Sequence, residues 1–246
     1  MKKTTNKEFW EDQKVIDTQD QTETILADFE LFLFEQAKIK SLHKIETVKI
    51  IGCGTGREIN EVVKFFNPET ILALDISENM IKKCNENLAL WGLSDKVTTL
   101  VSNAKDVQLQ ENTYDLITFL NSVMTYVPEK RERELIFKNA HKELKPNGVV
   151  IGTVHNQIGT FKKTAYFKVR SLLKIFLKHK VGQRMTGFKG FKFLGYYFSK
   201  SELLSELKQA GFKNVQVLSL EEFYKSKGVF YNRKTGYNNL IFIAES

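Results

Sequence analysis

The stretch Ile50–Ile59 reads IIGCGTGREI and places three glycines within five residues, directly behind the apolar run TVKII. Glycine weakens a helix or strand, so such a cluster indicates a tight turn or a close approach of the backbone to a ligand. Gly56 stands one position earlier than the G-x-G-x-x-G fingerprint requires, and no Gly-Lys-Ser/Thr ending follows. The spacing argues against an NAD site and against a phosphate-binding P-loop, and a turn without a ligand remains an alternative.

Strand-like and helical segments alternate around this loop. The helical segments are GREINEVVKFF, SENMIKKCNENLALWG, EKRERELIFKNAHKEL and KSELLSELKQAGF, and the strand-like ones are TVKII, TILALDI, KVTTLV, YDLITFL, GVVIGTV, NVQVLSL and NLIFIAE. Near-continuous runs of Val, Ile and Leu in the strands predict a mostly parallel sheet with helices on both faces. The last two strands have no recognisable helix between them, so we expect one of them to run antiparallel.

Length and composition favour one α/β domain with an elaboration, or at most two small domains, because the chain has 246 residues, of which 42% are hydrophobic and 27% charged. The N-terminal residues include lysines but no apolar run behind them, so no secretory signal is predicted. The longest apolar runs, such as LFLF at 31–34, are too short to span a bilayer. Two cysteines, Cys53 and Cys84, form no disulfide framework and no metal-ligand spacing. A cytoplasmic protein without a metal site or transmembrane segment is expected.

Basic residues are concentrated in one segment. The range Asn156–Lys200 contains no Asp or Glu and has a net charge of +11, against +8 for the whole chain, so the remainder is slightly acidic. A local basic segment predicts a local anionic partner. Nucleic acid is one such partner, but no RNA-binding module is recognisable, so an organic acceptor ranks first and RNA second.

An amphipathic helix is predicted at the start of this basic segment. At 100° per residue, one face is apolar and the other basic; the apolar face holds Phe161, Ala165, Val169, Leu172, Leu173 and Phe176, and the basic face holds Lys163, Arg170, Lys174 and Lys178. The following GQRMTGFKGFKFLGYYF predicts a loop or a short hairpin. Two interpretations remain open: a lid for an anionic or lipid-surface acceptor, with peripheral membrane contact, or a helix packed on the sheet with its lysines in solvent.

Asp75 ends the second predicted strand, 19 residues after Gly56. A carboxylate there can accept two hydrogen bonds from the vicinal hydroxyls of a ribose, and such charge-assisted bonds are strong. The alternative is that Asp75 caps the next helix. Ser77 can fill that role itself, which weakens the alternative.

The segments IIGCGTGRE, LALDISENM, YDLITFLNSVMTYVP and ELKPNGVVIGTV, in this order, resemble the class I S-adenosylmethionine (SAM)-dependent methyltransferases. The resemblance covers roughly Thr47–Val154, and YFSKSELLSELKQAGFKNVQVL is similar to the family's closing helix and strand. It implies a Rossmann-like seven-stranded sheet with the last strand antiparallel, SAM as cofactor, and methyl transfer to oxygen or nitrogen of a small or medium organic acceptor. An RNA methyltransferase and a non-catalytic SAM-binding protein are the alternatives.

The resemblance also divides the chain. It implies a single methyltransferase domain over 1–246, with an N-terminal helical extension (1–46), a SAM-binding core (47–155), a basic lid insertion after the fifth strand (156–198) and the C-terminal part of the core sheet (199–246).

The same resemblance implies which residues hold SAM. The glycine loop would lie under the methionine part, Asp75 would bind the ribose, and Ile76 and Met80 would line the adenine. The full set is Gly52, Cys53, Gly54, Thr55, Gly56, Asp75, Ile76, Met80, Asn103, Ala104 and Leu120. Two positions depart from the family pattern: Ile50 replaces an acidic residue before the loop, and Asn103 replaces an Asp that accepts from the adenine amino group.

Candidate catalytic residues follow the fourth and fifth strands. Methyl transfer from a sulfonium requires mainly positioning and exclusion of water, and a base only if the nucleophile arrives protonated. His155 is the candidate base because an unperturbed imidazole titrates near neutrality. Tyr126 is the second candidate. The alternatives are a structural hydrogen-bonding role for His155 and a packed pocket wall for Tyr126.

Overall fold

The fold is described by a computed structural model that covers residues 2–20, 25–188, 190–235 and 238–246. Lys189 of the predicted basic segment lies outside the described residues. The N-terminal part contains β1 (Lys2–Lys3), α1 (Asn6–Trp10), α2 (Gln13–Gln19) and α3 (Asp28–Lys40). The central part contains β2 (Thr47–Ile51), α4 (Arg57–Phe66), β3 (Thr70–Asp75), α5 (Glu78–Leu90), β4 (Val97–Val101), β5 (Tyr114–Phe119), a 3-10 turn (Val123–Tyr126), α6 (Lys130–Glu143) and β6 (Leu144–His155).

After β6 the chain forms the predicted insertion and then returns to the main sheet. The insertion contains α7 (Phe161–Leu172), α8 (Lys174–Leu177), a 3-10 turn (Lys178–Lys180), β7 (Gln183–Phe188) and β8 (Phe191–Tyr196). The final part contains α9 (Lys200–Ala210), β9 (Lys213–Ser219), α10 (Leu220–Ser226), a 3-10 turn (Arg233–Thr235) and β10 (Asn239–Glu245).

Seven strands form one sheet in the order β4-β3-β2-β5-β6-β10-β9. Among the described strands of this sheet, β10 alone runs in the direction opposite to the other six. It pairs antiparallel with β6 and β9, and Ile241 lies opposite Thr153 of β6 and Leu218 of β9. Residues of α3, α4, α5 and α10 join the hydrophobic cluster on one face, and residues of α6 and α9 join the cluster on the other. The predicted fold class, a Rossmann-like sheet with its last strand antiparallel, is confirmed.

Helix ends follow local sequence rules. Ser77 caps α5 by accepting a hydrogen bond from the Met80 amide at 3.1 Å, and Gly211 ends α9 with a left-handed φ of 114°. The expectation that no helix separates the last two strands is wrong. Ser219 and Glu222 form a reciprocal capping box at the start of α10, a pattern that is recognisable in the sequence.

A second, three-stranded sheet has the order β1-β8-β7. The hairpin of β7 and β8 agrees with the prediction for this aromatic segment, and β1 pairs in parallel with β8 at its edge. A small core joins the N-terminal segment to the insertion through Phe9 and Phe193, whose ring centroids lie 4.3 Å apart. The insertion is therefore attached to the N-terminal segment.

The amphipathic helix of the insertion is oriented against expectation. Its inner face buries Lys163 and Phe167, while Phe161 and Leu172 of the apolar face are 87% and 85% exposed. The interpretation that the apolar face packs on the sheet is therefore wrong, and of the predicted basic face Lys163 is buried while Lys174 and Lys178 are exposed. None of the described helices has both the length and the apolar composition that crossing a bilayer requires.

Candidate functional site

A cavity of about 880 Å³ lies at the carboxyl ends of the central strands. Its walls come from the turns after β2, β3, β4, β5 and β6 and from the N-terminal segment. Most of the residues predicted to form the site lie in these walls: Gly52, Cys53, Gly54, Thr55, Asp75, Ile76, Met80, Asn103, Ala104, Tyr126 and His155. Gly56 and Leu120 do not. Gly56 is the N-cap residue of α4, and Leu120 is buried in the hydrophobic core.

Three glycines in the loop after β2 have left-handed backbone angles, with φ of 78° at Gly52, 53° at Gly54 and 97° at Gly56. A Cβ at Gly52 would lie 2.4 Å from a Val123 methyl group, and one at Gly56 would lie 3.1 Å from the Cys84 sulfur. A Cβ at Gly54 would meet no atom of the described residues within 4 Å. Gly52 and Gly56 therefore allow tight packing, whereas Gly54 faces open space in the cavity.

Asp75 connects two of the loops around the cavity. One carboxylate oxygen accepts a hydrogen bond from the Gly54 amide at 2.9 Å, and the other accepts one from the Ser77 amide at 3.0 Å. Burial raises the pKa of Asp75, while these amide hydrogen bonds oppose that rise. Each oxygen can accept a further bond, so the carboxylate can hold a ligand hydroxyl while it fixes the glycine loop. The side-chain cap of α5 is Ser77.

The two departures from the family pattern have different surroundings. Ile50 is fully buried in the sheet and lies away from the cavity wall. Asn103 lines the cavity beside Ala104, and its side-chain oxygen accepts a hydrogen bond from the Lys105 amide at 3.2 Å. A carboxylate does reach the cavity near the glycine loop, but it is that of Glu30 in α3.

Glu30 and Arg57 form an ion pair in the cavity wall that the sequence analysis missed. The Arg57 guanidinium donates to both carboxylate oxygens of Glu30, at 2.9 and 3.0 Å, and to the Asn121 side-chain oxygen at 2.9 Å. The two hydrogen bonds to Glu30 hold the guanidinium and the carboxylate in one relative orientation. The partners are 27 positions apart in the chain, which explains why no local pattern in the sequence indicates the pair.

Residues before α3 close one side of the cavity. The Glu11 carboxylate accepts hydrogen bonds from the Glu78 and Asn79 amides at the start of α5, at 2.9 and 3.2 Å. The Ser77 hydroxyl donates to the Trp10 carbonyl, and the Thr55 hydroxyl donates to the Gln19 carbonyl. The N-terminal extension is therefore bonded directly to the loops predicted to hold SAM, a role that its polar sequence does not reveal.

The other end of the cavity is aromatic. The Tyr126 ring lies between Trp10, at 4.9 Å between centroids, and Phe193, at 5.4 Å. His155 lies beside it at 6.4 Å. Tyr126 is thus packed as part of the wall, which was the alternative to a catalytic role.

His155 has an unusual electrostatic environment. Burial and the positive charge of Lys163 lower the pKa of His155 to about 4. Its Nδ1 atom is buried and has no hydrogen-bond partner among the described residues. An unpaired buried nitrogen is costly, so a ligand that hydrogen-bonds to it is favoured. The imidazole is neutral at pH 7 and a much weaker base than the sequence suggested.

The insertion packs against residues of the cavity wall. Of its described residues, none in the range 156–198 belongs to the cavity wall, whereas several residues between Asn6 and Glu30 do. Phe193 of β8 packs on Tyr126 and Phe9. The lid role of the insertion stays a prediction, and the cover seen in the structure is the N-terminal segment.

Comparisons with known proteins agree with this geometry. A family model described as "Methyltransferase domain" matches residues 48–148. Malonyl-[acyl-carrier protein] O-methyltransferase 2 of Ilyobacter polytropus is 29% identical over 173 residues, which are 70% of this chain and 60% of that protein. Carboxy-S-adenosyl-L-methionine synthase of Shewanella sediminis is 25% identical over 103 residues, 41% of each chain. This chain therefore spans less than two thirds of the length of either relative.

Among solved structures, an N-methyltransferase from Haemonchus contortus in complex with phosphomonomethylethanolamine and S-adenosylhomocysteine shares the fold. The TM-score is 0.66 at 15% identity, over 99% of this chain and 61% of that one. The matched residues, the strand order and the cavity above the glycine loop lead to one conclusion: the chain contains a SAM-dependent methyltransferase domain over residues 48–148.

Proposed function

We propose that this protein transfers a methyl group from SAM to an oxygen or nitrogen atom of a small or medium organic acceptor that carries an anionic group. One observation carries the proposal. A single cavity has Gly54 and Asp75 at one end and the neutral His155 beside an aromatic wall at the other. Its volume of about 880 Å³ lies at the upper end of the usual range for ligand pockets, roughly 300–1,000 Å³, and suits two ligands side by side.

The residues at the glycine-loop end fit SAM. Gly54 leaves open the space into which a side chain would project, and the Asp75 carboxylate retains capacity for the ribose hydroxyls. Ile76 and Met80 offer an apolar surface to the adenine, with the polar Asn103 nearby. When bound, SAM supplies a methyl group that its sulfonium already activates.

The residues at the aromatic end orient the acceptor and exclude water. Trp10 and Tyr126 form an apolar wall, and the bonds from the N-terminal segment to α5 hold that wall over the cavity. Exclusion of water and fixed orientation are the main contributions that such a transfer requires. His155 can accept a hydrogen bond from an acceptor hydroxyl or amine, and its low basicity favours this orienting role over complete proton removal.

An anionic acceptor is favoured by the charges behind His155. Lys163 is only 8% exposed, and burial together with the charge of Arg184 lowers its pKa to about 8. The Lys163 ammonium and the Arg184 guanidinium each lie 5.7 Å from the centroid of the Tyr197 ring. Two cations in a poorly solvated place produce a positive potential that favours a negatively charged ligand.

The test is transfer of label from methyl-labelled SAM to cell extracts separated into small-molecule, lipid and nucleic-acid fractions. We expect label in the small-molecule or lipid fraction. His155→Gln should reduce transfer at least tenfold while the dissociation constant of SAM stays the same. His141→Gln is the matched control, because this histidine lies on α6, outside the cavity wall.

Two outcomes would contradict the proposal. Binding of SAM in calorimetry without transfer to any fraction would make the protein a non-catalytic SAM-binding protein. Label confined to nucleic acid would make RNA or DNA the acceptor.

A further inference from the structure

The outer surface of the insertion carries an apolar stripe that no other part of the described chain covers. We use the name outer stripe for Phe161, Leu172, Ile175 and Phe176, which are 87%, 85%, 83% and 82% exposed. These four residues belong to two consecutive short helices, α7 and α8. Such a set of large apolar side chains in solvent indicates an interaction surface, whereas single exposed apolar residues need no explanation.

The outer stripe is not needed to hold α7 in place. The inner face of the helix buries Phe167 against Tyr197, with ring centroids 5.3 Å apart. The Arg170 side chain donates a hydrogen bond to the Val181 carbonyl at 2.8 Å, which ties the helix to the chain that follows α8. Because these contacts lie opposite Phe161 and Leu172, changes in the outer stripe should leave the fold intact.

Basic residues surround the outer stripe. Between positions 161 and 180 the sequence contains seven Lys or Arg residues and no Asp or Glu. Five of these side chains are exposed: Lys162, Lys168, Lys174, Lys178 and Lys180. A surface on which exposed apolar residues and exposed lysines lie close together along one short segment is complementary to one that has negative charge above an apolar layer.

We propose that α7 and α8 lie in the plane of an anionic phospholipid bilayer, with the outer stripe inserted among the acyl chains and the lysines at the phosphates. A nucleic acid would use the lysines but has no use for exposed Leu172 and Ile175. An acidic protein would need a groove for the apolar residues, yet the stripe is the outer side of two helices. The bilayer satisfies both parts of the surface at once.

The location of the stripe relates it to the cavity. The insertion leaves the main sheet directly after His155, which lines the cavity, so the segment that carries the outer stripe begins at the cavity. The proposal does not depend on methyl transfer, because it concerns a surface on which no cavity residue lies.

The experiment is co-sedimentation of the full chain with vesicles. We expect binding to vesicles of equal parts phosphatidylglycerol and phosphatidylcholine, and binding at least tenfold weaker to phosphatidylcholine alone. Added salt should weaken the binding without abolishing it, because only the charge component is screened. The triple variant Leu172→Ser, Ile175→Ser, Phe176→Ser should lose at least tenfold in vesicle affinity and should melt at the same temperature as the wild type.

The matched control changes three equally exposed apolar residues elsewhere, Ile39, Leu42 and Leu90, to serine. This control should bind vesicles as the wild type does. Equal binding by the stripe variant and the control would overturn the proposal. So would a wild-type protein that binds RNA or an acidic protein but no anionic vesicle.

A second measurement reports insertion directly. Cys53 and Cys84 are buried, so an Ile175→Cys variant can be labelled selectively with a fluorophore that senses polarity. Its emission should shift to the blue on addition of phosphatidylglycerol vesicles, and a label on Leu90→Cys should not shift. No shift at position 175 in the presence of bound vesicles would show that the stripe stays in water and would refute insertion.

Discussion

Substitution of Gly54 can separate the effect of a new side chain on SAM binding from its effect on backbone strain. Gly54 and Gly92 both have left-handed φ angles, 53° and 68°, and a Cβ at either would meet no atom within 4 Å. Only Gly54 lines the cavity; Gly92 follows α5. An alanine in this conformation costs about 1–2 kcal/mol at either position. Gly54→Ala and Gly92→Ala should therefore lower the free energy of unfolding by similar amounts.

Binding of SAM should distinguish the two variants. The new methyl group at position 54 occupies space that the ligand would fill, and overpacking of this kind costs about 1–3 kcal/mol. That cost corresponds to about a 5- to 150-fold increase in the dissociation constant for Gly54→Ala, measured by calorimetry. Gly92→Ala should bind SAM as the wild type does.

The comparison with Asp75 shows why the glycine pair is the sharper test. Asp75→Ala would also remove the acceptors for the Gly54 and Ser77 amides, so loss of affinity would mix ligand contact with loop disorder. Unchanged affinity in Gly54→Ala, with the same loss of stability as Gly92→Ala, would refute the placement of SAM over the loop.

Three further substitutions test the packing and charges of the fold. Arg133 is fully buried and donates to both carboxylate oxygens of Glu206, at 2.8 and 3.1 Å, so Glu206→Gln should lower the free energy of unfolding in urea by about 3–5 kcal/mol. A Cβ at Gly152 would lie 2.4 Å from the Phe242 ring, so Gly152→Ala should cost about 1–3 kcal/mol in the same assay; a loss below that range would mean that the ring moves freely. Folding lowers the pKa of His155 from its ordinary 6.5 to about 4. Between these two pH values the unfolded chain therefore binds more protons than the folded chain, so the free energy of unfolding decreases as the pH falls from 6.5 to 4. The slope of unfolding free energy against pH between 6.5 and 4 should be smaller in His155→Gln, and an equal slope would contradict the lowered pKa.

The architecture of the sheet and the position of the glycine loop can be predicted from the sequence. Apolar residues recur about every two positions in the strands and about every 3.6 positions in the helices. These periods, and caps such as Ser77 and Gly211, can be recognised in a short stretch of sequence. The positions of the loop after β2 and of the aspartate that ends β3 follow from the same logic, because parallel strands bring their carboxyl ends to one edge of the sheet.

The surroundings of the cavity, in contrast, depend on contacts between residues that are distant in the sequence. The pairing of Arg57 with Glu30, and of Glu11 with the start of α5, joins residues 27 and 67 positions apart, and no local pattern encodes such contacts. The pKa of His155 likewise depends on burial, which the sequence does not give.

The orientation of α7 shows this limit most directly. The sequence correctly predicted an amphipathic helix, since periodicity reveals that Phe161 and Leu172 share a face. It could not show which face packs inward, because that depends on what the rest of the fold presents. Here the inner face of α7 meets Tyr197 and the Val181 carbonyl: the Phe167 ring packs on Tyr197, and Arg170 donates a hydrogen bond to the carbonyl. The apolar face is therefore left in solvent.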